Sequence, residues 1–175
     1  ITLFNEEDYY SAYLLLNELN GYDTSDSYLT ECERLLQTIE ISELDIANRI
    51  ASALTKQKMN VYDYLYVYQA EKIESLDLSQ YKIEDLSFLK YCKNLKELYL
   101  DGCGIPDVMP LKEMYSLEKL SLARNNISDT LPLYNLVNLN QLDLSNNLIE
   151  DVYGLSNLKS LTSLDLSRNN IIFLN

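Results

Sequence analysis

Three aspartates stand at matching places in similar stretches of this chain, and they come nearest to a pattern that could do chemistry. Asp77, Asp143 and Asp165 each lie between two leucines in the tetrapeptide LDLS. On neighbouring β-strands, about 4.8 Å apart, Asp143 and Asp165 would raise each other's pKa, as paired catalytic carboxylates do. Because LDLS recurs as ordinary repeat sequence, we favour a structural role for these aspartates over a catalytic one.

Other catalytic and cofactor chemistry finds little support. The chain has 0 histidines, which excludes Ser-His-Asp and Cys-His catalysis and histidine metal ligands. Cys32, Cys92 and Cys103 lack metal-ligand spacing and are predicted to be small buried apolar residues. The glycines of DGCGIPD (residues 101–107) form a lone G-x-G without a phosphate-binding motif. We therefore expect no cofactor and no enzyme activity.

The charge balance limits the classes of molecule that this chain can bind. Asp and Glu number 27 against 14 Lys and Arg, giving a net charge of -13. Nucleic acid and anionic membranes would be repelled by such a chain, so a neutral or basic protein is the expected partner. No run of about 18 apolar residues is present, so we expect no membrane insertion. We interpret the acid excess as a solvated surface rather than a docking patch.

A repeat must position these residues. The frame L-x-x-L-x-L-x-x-N-x-I recurs every 22 residues, with its first position at Ile73, Leu95, Leu117, Leu139 and Leu161. Its L-x-L core alternates with a period of two, which predicts a short strand with leucines inside. The rest of each repeat is apolar at every third position, which predicts a tight 3₁₀-like or extended return. One repeat cannot enclose its own leucines, so neighbouring coils must stack.

The asparagine of the frame is predicted to be structural. Asn125, Asn147 and Asn169 should be buried and hydrogen-bond the turn backbone of adjacent coils, because an unpaired buried amide is costly. Tyr81 and Cys103 fill this slot in the first two repeats, and Thr130 replaces an aliphatic residue on the third return. We expect local irregularity at these three positions without loss of the fold.

The repeats resemble a known family. The segments LKELYLDGCGIPDVMPLKEMYSL (residues 95–117) and LTSLDLSRNNI (residues 161–171) resemble bacterial internalin-type leucine-rich repeats of 22 residues, and the resemblance covers residues 73–175. It implies an α/β solenoid, a right-handed coil of short parallel strands, that binds a protein on its concave sheet face. It also implies a location at the bacterial cell surface or outside the cell, with a cytoplasmic location as the alternative.

The chain before the repeats is predicted to be all-α. Residues 1–42 are interpreted as a helical hairpin, with helices over residues 5–19 and 27–39, serving as an extended cap or linker. Residues 43–72 look like the helical cap that precedes internalin repeats, which would cover the first coil. The segment VYDYLYVY (residues 61–68) fits both a strand and a helix, and we favour helix.

The outward strand positions are the candidate binding surface. The most distinctive patch joins an aromatic anchor to charges of both signs, as interfaces often do; it consists of Glu97, Tyr99, Asp101, Lys119 and Arg124. The aspartate column Asp77, Asp143 and Asp165 extends it. A merely solvated sheet face is the alternative interpretation.

Two functions remain open from the sequence. The first is a non-enzymatic recognition module that binds a protein partner on the concave face. The second is a cytoplasmic acidic inhibitor, immunity protein or adaptor that masks a basic partner. At the C-terminal edge, the apolar Ile172 and Phe173 replace the acids Glu150 and Asp151 of the preceding repeat. We therefore expect either a continuation beyond Asn175 or self-association through this edge.

Overall fold

The repeats form a coil with one parallel strand per turn. The computed structural model describes residues 38–39, residue 50 and residues 65–172. Five strands pair in sequence order as a parallel sheet, and successive strands align in a register of 22 residues. These strands are β3 (Ser75–Asp77), β4 (Glu97–Tyr99), β5 (Lys119–Ser121), β6 (Gln141–Asp143) and β7 (Ser163–Asp165).

Each of the first four coils returns through a short 3₁₀ helix, as the spacing of apolar residues predicts. The four helices are η1 (Ser87–Tyr91), η2 (Met109–Leu111), η3 (Leu131–Leu133) and η4 (Tyr153–Leu155). The returns bury one apolar residue in three towards the sheet, for example Val108, Leu111 and Met114 on the second coil. Pro110 and Pro132 fit because the start of a helix leaves the first backbone N–H groups unpaired.

A single leucine core lies between the sheet and the returns. The middle residue of each strand points inward and is at most 2% exposed at Leu76, Leu98, Leu120 and Leu142. Each fully buried leucine contributes about 2 kcal/mol, so the stacked coils share the energy that no single coil could provide. Leu164 on β7 is 44% exposed, because no further coil covers that edge in this structure.

The frame asparagines form the predicted ladder. The side-chain oxygen of Asn125 accepts the backbone N–H groups of Cys103 and Ile105, at 3.1 and 3.0 Å. Its amide nitrogen donates to the carbonyl of Leu100 on the preceding coil at 2.8 Å and to that of Leu122 on its own coil at 2.9 Å. Asn147 and Asn169 repeat the bonds to both coils. Each amide therefore joins two coils inside the core.

Cys103 replaces an asparagine and preserves the donor bond of the ladder. Its thiol donates to the carbonyl of Leu78 at 3.1 Å, which is the bond that the asparagines make one coil further on. The expected irregularity does not reach the strands, because the register on both sides is unbroken. On the first coil the backbone N–H of Ile83 donates to the carbonyl of Cys103 at 3.3 Å instead of to a side-chain oxygen. Gly104 has a φ of 77°, which is positive where those of its counterparts Lys82, Asn126 and Leu148 are not.

The N-terminal expectation needs correction where the structure describes it. Strand β1 (Thr38–Ile39) pairs antiparallel with β2 (Leu65–Tyr66), so these positions are not helical and the segment is not all-α. Helix α1 begins directly afterwards and spans Val67–Ala70, so within the favoured helix of residues 61–68 positions 65 and 66 are strand and positions 67 and 68 are helical. Ile50 is helical and buried. The other positions of the expected hairpin and cap, Cys32 included, lie outside the described residues.

Candidate protein-binding surface

The strand register brings the outward residues of all five coils into columns on one face, here called the sheet face. The first column consists of Ser75, Glu97, Lys119, Gln141 and Ser163, and the second of Asp77, Tyr99, Ser121, Asp143 and Asp165. Because strands in a sheet lie about 4.8 Å apart, neighbouring members of a column are within reach of one ligand.

Glu97, Tyr99 and Lys119 make direct contacts. The ammonium of Lys119 lies 2.9 Å from one carboxylate oxygen of Glu97, and the Tyr99 hydroxyl donates to the other oxygen at 3.3 Å. All three side chains are partly exposed. The sequence grouped these three residues, and the structure holds them together in a connected arrangement across β4 and β5.

The pKa values of all three residues in the cluster of Glu97, Tyr99 and Lys119 are shifted. The hydrogen bond from Lys119 is the main cause that lowers the pKa of Glu97, and the same bond raises the pKa of Lys119. Partial burial, followed by the nearby charge of Glu97, raises the pKa of Tyr99. At neutral pH the patch therefore offers a protonated phenol beside an ion pair.

Asp101 supports the fold rather than offering a free carboxylate. One of its carboxylate oxygens accepts the hydroxyl of Ser121 and the backbone N–H of Ala123, the latter at 3.0 Å. Both donors belong to the next coil. Asp101 thus ties two coils together at the end of their strands, beside the cluster formed by Glu97, Tyr99 and Lys119.

The aspartate column has a backbone role. The carboxylates of Asp77, Asp143 and Asp165 each accept the N–H of the residue two positions later, at 2.9, 2.8 and 2.8 Å. The expectation that Asp143 and Asp165 raise each other's pKa is wrong for Asp165, whose pKa is lowered by hydrogen bonds from the Ser167 backbone and hydroxyl. A carboxyl with a lowered pKa is poorly suited to general acid or base catalysis near pH 7.

Turn bonding accounts for much of the acid excess in the repeats. Every aspartate from residue 71 to 172 accepts a backbone N–H, including those that precede each 3₁₀ helix by two residues. The latter are Asp85, Asp107, Asp129 and Asp151. Aspartate suits this task because its short carboxylate reaches the N–H two residues on. The acids that were interpreted as a solvated surface therefore stabilise turns as well.

Arg124 lies at the rim of the sheet face. Its φ of 58° belongs to a ladder of positive values at Gln80, Gly102, Arg124, Asn146 and Arg168. Because the conformation recurs in every coil, it is a property of the repeat turn and not strain peculiar to one site. Its guanidinium makes no hydrogen bond or ion pair within the part of the chain that the structure describes, which leaves it available to a ligand.

A shallow groove of about 330 Å³ crosses the sheet face. We call it the sheet groove, and its polar lining consists of Tyr99, Lys119, Ser121, Gln141, Asp143, Ser163 and Asp165. Four of the residues expected from the sequence therefore line one depression. Glu97 supports it through Lys119 and Tyr99, whereas Asp77, Asp101 and Arg124 lie outside the lining.

Sequence reasoning left Ser121, Gln141 and Ser163 out of the candidate patch. All three are small or uncharged, so their residue types gave no signal. Their positions in the outward columns were the available signal, because a groove across four coils needs every strand between its ends. In the structure these three residues link the patch around β4 and β5 to the aspartates Asp143 and Asp165 on β6 and β7.

The described residues were compared with what a metal site and a membrane-spanning helix require, and they provide neither. Among the described residues, no group of three or more Cys, Asp or Glu side chains is placed to hold a metal ion. Within the same residues, no helix has the length and apolar character needed to cross a bilayer.

Comparison with known proteins identifies the class and then the family. A family model described as the Endo-beta-N-acetylglucosaminidase EndoS LRR domain matches residues 49–169. The chain is a leucine-rich-repeat protein, and it belongs to this family of leucine-rich-repeat domains. The glycosidase activity named in that description is that of EndoS. No curated protein matches the chain at the sequence level.

Solved structures place the repeats with the internalins. An internalin (inlF) from Listeria monocytogenes is 26% identical with a TM-score of 0.59, and the match covers 75% of this chain and 45% of the internalin. Internalin C2 from the same species is 26% identical with a TM-score of 0.55, over 73% of this chain and 65% of that one. The chain thus spans less than two thirds of either. An internalin-like fold supports a protein-interaction module in general.

Proposed function

We propose that this chain binds a protein partner on its concave sheet face, at the sheet groove. The observation that carries the proposal is the groove itself, which joins Tyr99, Lys119, Asp143 and Asp165 from four successive coils. A lining of one phenol, one ammonium, carboxylates and hydroxyls can meet the varied groups of a polypeptide surface. A large polar face of this kind suits a protein better than a small apolar ligand.

Tyr99 is the proposed anchor of the interface. In its column the other members are aspartate or serine, so Tyr99 provides the one large side chain among them. Its hydroxyl is held by Glu97, which reduces the conformational entropy that binding would cost. Partly buried, prepositioned tyrosines are enriched among residues that dominate binding energy.

The test compares two partly exposed tyrosines on opposite sides of the coil. A partner is first captured with the chain from an extract of the organism that encodes it, and the purified partner is titrated with variants. Tyr99→Ala should raise Kd at least about tenfold, or about 1.4 kcal/mol. Tyr134→Ala is the matched control, because Tyr134 is partly exposed, as Tyr99 is, but lies on the return side. Equal affinities for both variants would refute the sheet groove as the binding site.

The acidic side chains favour a second, narrower candidate. Acidic side chains outnumber basic ones in and beside the sheet groove, where Glu97, Asp143 and Asp165 stand against Lys119. The pKa values of Glu97 and Asp165 are lowered, so both carboxylates are ionised at neutral pH. A cytoplasmic inhibitor or adaptor that masks a basic partner would use this charge. Its binding should weaken steeply between low and physiological salt, whereas a partner recognised mainly through Tyr99 should respond weakly.

The β7 edge is a further proposed contact. Leu164 and Ile172 are 44% and 67% exposed there, and the unpaired edge of β7 can extend the sheet with another strand. Self-association through this edge would give a concentration-dependent mass in sedimentation, which Leu164→Lys should abolish. A monomer at all concentrations would exclude it.

A further inference from the structure

A second groove lies on the return side of the coil, between η1 and η2. Its volume is about 540 Å³, which exceeds that of the sheet groove. We call it the return groove. Its walls include the apolar side chains of Leu89, Met109, Pro110, Met114 and Tyr115. A depression of this size and lining can take a bulky apolar side chain.

Lysines surround the return groove. Its charged lining residues are Lys90, Lys93, Lys112 and Glu113, a basic majority on a chain of net charge -13. Lys90 lies 4.9 Å from the ring centre of Tyr91, and it is near enough to Asp85 to help lower the pKa of that carboxyl. Lys93 and Lys112 have acidic neighbours at 3.5 and 3.9 Å, and both keep more than half of their side chain exposed. The ammonium groups therefore remain accessible to an incoming anion.

The floor of the return groove behaves as apolar. Cys92 forms part of the lining, and burial raises its pKa to about 12. The thiol is therefore protonated and weakly polar at neutral pH. A ligand that enters the groove meets an uncharged floor and a charged rim.

An exposed apolar stripe continues from the return groove along the coil, and we call it the return stripe. Its first column holds Met109, Leu131 and Tyr153, the opening residues of η2, η3 and η4, which are 49–58% exposed. Its second column holds Tyr115 and Val137, which are 53% and 43% exposed. Met109 and Tyr115 belong to both features, so groove and stripe form one surface.

The fold does not require this stripe. The core positions of the returns are already filled, for example by Val108 and Leu111, which are fully buried. Both columns also accept polar residues, since Ser87 stands in the first and Lys93 and Lys159 in the second, each 22 residues from a member of the stripe. A contiguous apolar surface bounded by polar residues marks an interaction site.

We propose that the return groove and return stripe dock an acidic segment of another protein that carries a bulky apolar side chain. The apolar side chain enters between Met109 and Tyr115, and the acidic residues beside it meet Lys90, Lys93 and Lys112. Because charges are screened beyond about 8 Å at physiological salt, these nearby lysines affect a ligand in the groove more than the distant acids of the chain do. A second copy of the chain is the competing occupant, and concentration-dependent dimerisation distinguishes it.

The test uses a defined probe, a displayed library of random twelve-residue peptides, with the intact chain as bait. Selection should enrich peptides that combine Asp or Glu with Leu, Phe or Trp. A synthetic peptide of the enriched sequence should then bind at least tenfold more weakly to Lys90→Glu/Lys112→Glu and to Met109→Ser/Tyr115→Ser. Lys82→Glu is the matched charge control, because Lys82 is exposed and lines neither groove, and it should leave the Kd unchanged.

Three outcomes would overturn the proposal. The first is a selection that enriches no sequence or only basic sequences, and the second is binding that survives both double variants. The third is concentration-dependent dimerisation of the chain that Met109→Ser/Tyr115→Ser abolishes, which would assign the surface to a second copy. Circular dichroism melting of each variant separates lost binding from lost folding, because these side chains are exposed and their removal should barely change Tm.

Discussion

The sheet face and the return side are built from the same 22-residue columns but expose opposite chemistry. On the sheet face the outward residues are polar, and the carboxylates of Asp77, Asp143 and Asp165 are each bonded to a nearby backbone N–H. On the return side, large apolar residues stand exposed beside lysines. One scaffold can therefore carry two independent surfaces, since side chains in either set of columns vary without touching the shared leucine core.

The two surfaces share one structural dependence, the asparagine ladder, and breaking it gives the largest expected effect. In Asn125→Ala, the buried N–H groups of Cys103 and Ile105 lose their acceptor. At about 1–3 kcal/mol for each unsatisfied group, the free energy of unfolding should fall by about 2–6 kcal/mol. Binding at both surfaces should then decline together with the folded fraction.

The adjacent asparagine provides the control for this prediction. Asn126 is exposed, so Asn126→Ala should change the free energy of unfolding by less than about 0.5 kcal/mol. Urea unfolding followed by circular dichroism measures both variants. An Asn125→Ala protein as stable as the Asn126→Ala protein would mean that the ladder does not couple the two sides.

Gly154 offers a way to disturb one surface and spare the other. A Cβ at this position would lie 2.1 Å from the carbonyl oxygen of Thr130, so the returns of the third and fourth coils must separate in Gly154→Ala. We expect a loss of about 2 kcal/mol and displacement of Tyr153 and Leu131 in the return stripe. The strands β4 and β5, which hold Tyr99 and Lys119, should keep their pairing.

Amide chemical shifts can locate this damage. In Gly154→Ala the large changes should map to η3 and η4, with β4 and β5 unaffected. Gly104→Ala is the comparison, because a Cβ there meets no atom within 4 Å and the cost, about 1 kcal/mol, comes only from its positive φ. Large shift changes on the sheet face of Gly154→Ala would show that the two surfaces are not mechanically independent.

The sequence predicted the sheet face because register alone determines it. Once the 22-residue frame is recognised, Glu97 must stand beside Lys119 and Tyr99 beside Ser121. The hydrogen bonds of Asp101 and Asp165 were not predicted, since they depend on turn geometry that no periodicity specifies. Strands β1 and β2 were missed for a related reason: VYDYLYVY fits two periods, and its pairing partner, Thr38–Ile39, is distant in sequence.

The return groove was not predicted from the sequence, because its exposed apolar residues lie next to the buried apolar residues of the core. Apolar residues at every third position account for Val108, Leu111 and Met114, which are buried. Met109 and Tyr115 each follow one of these by a single residue, and whether such a neighbour is exposed depends on how the 3₁₀ turn rotates it. The recurrence of large apolar residues at 109, 131 and 153 was the available signal.

The smallest expected effect concerns the ion pair that organises the sheet groove. The hydrogen bond from Lys119 lowers the pKa of Glu97 in the folded chain. The ion pair therefore stabilises the folded chain fully at pH values above the ordinary Glu pKa of 4.5. That contribution is lost as the pH falls through the lowered folded value. In Lys119→Ala, the pKa of Glu97 should rise towards its ordinary value, and the hold on the Tyr99 hydroxyl should be released at a higher pH.

A carboxyl NMR titration measures this shift, and Lys96, the residue before β4, provides the control. The Lys96 ammonium lies 3.2 Å from Glu74, and Lys96 is not among the groups that shift the pKa of Glu97, so Lys96→Ala should leave the Glu97 midpoint in place. If Lys119→Ala also leaves it in place, the ion pair does not persist in solution, and Tyr99 would then have to be held by packing alone. The contrast between an organised sheet face and an open return side would be correspondingly weaker.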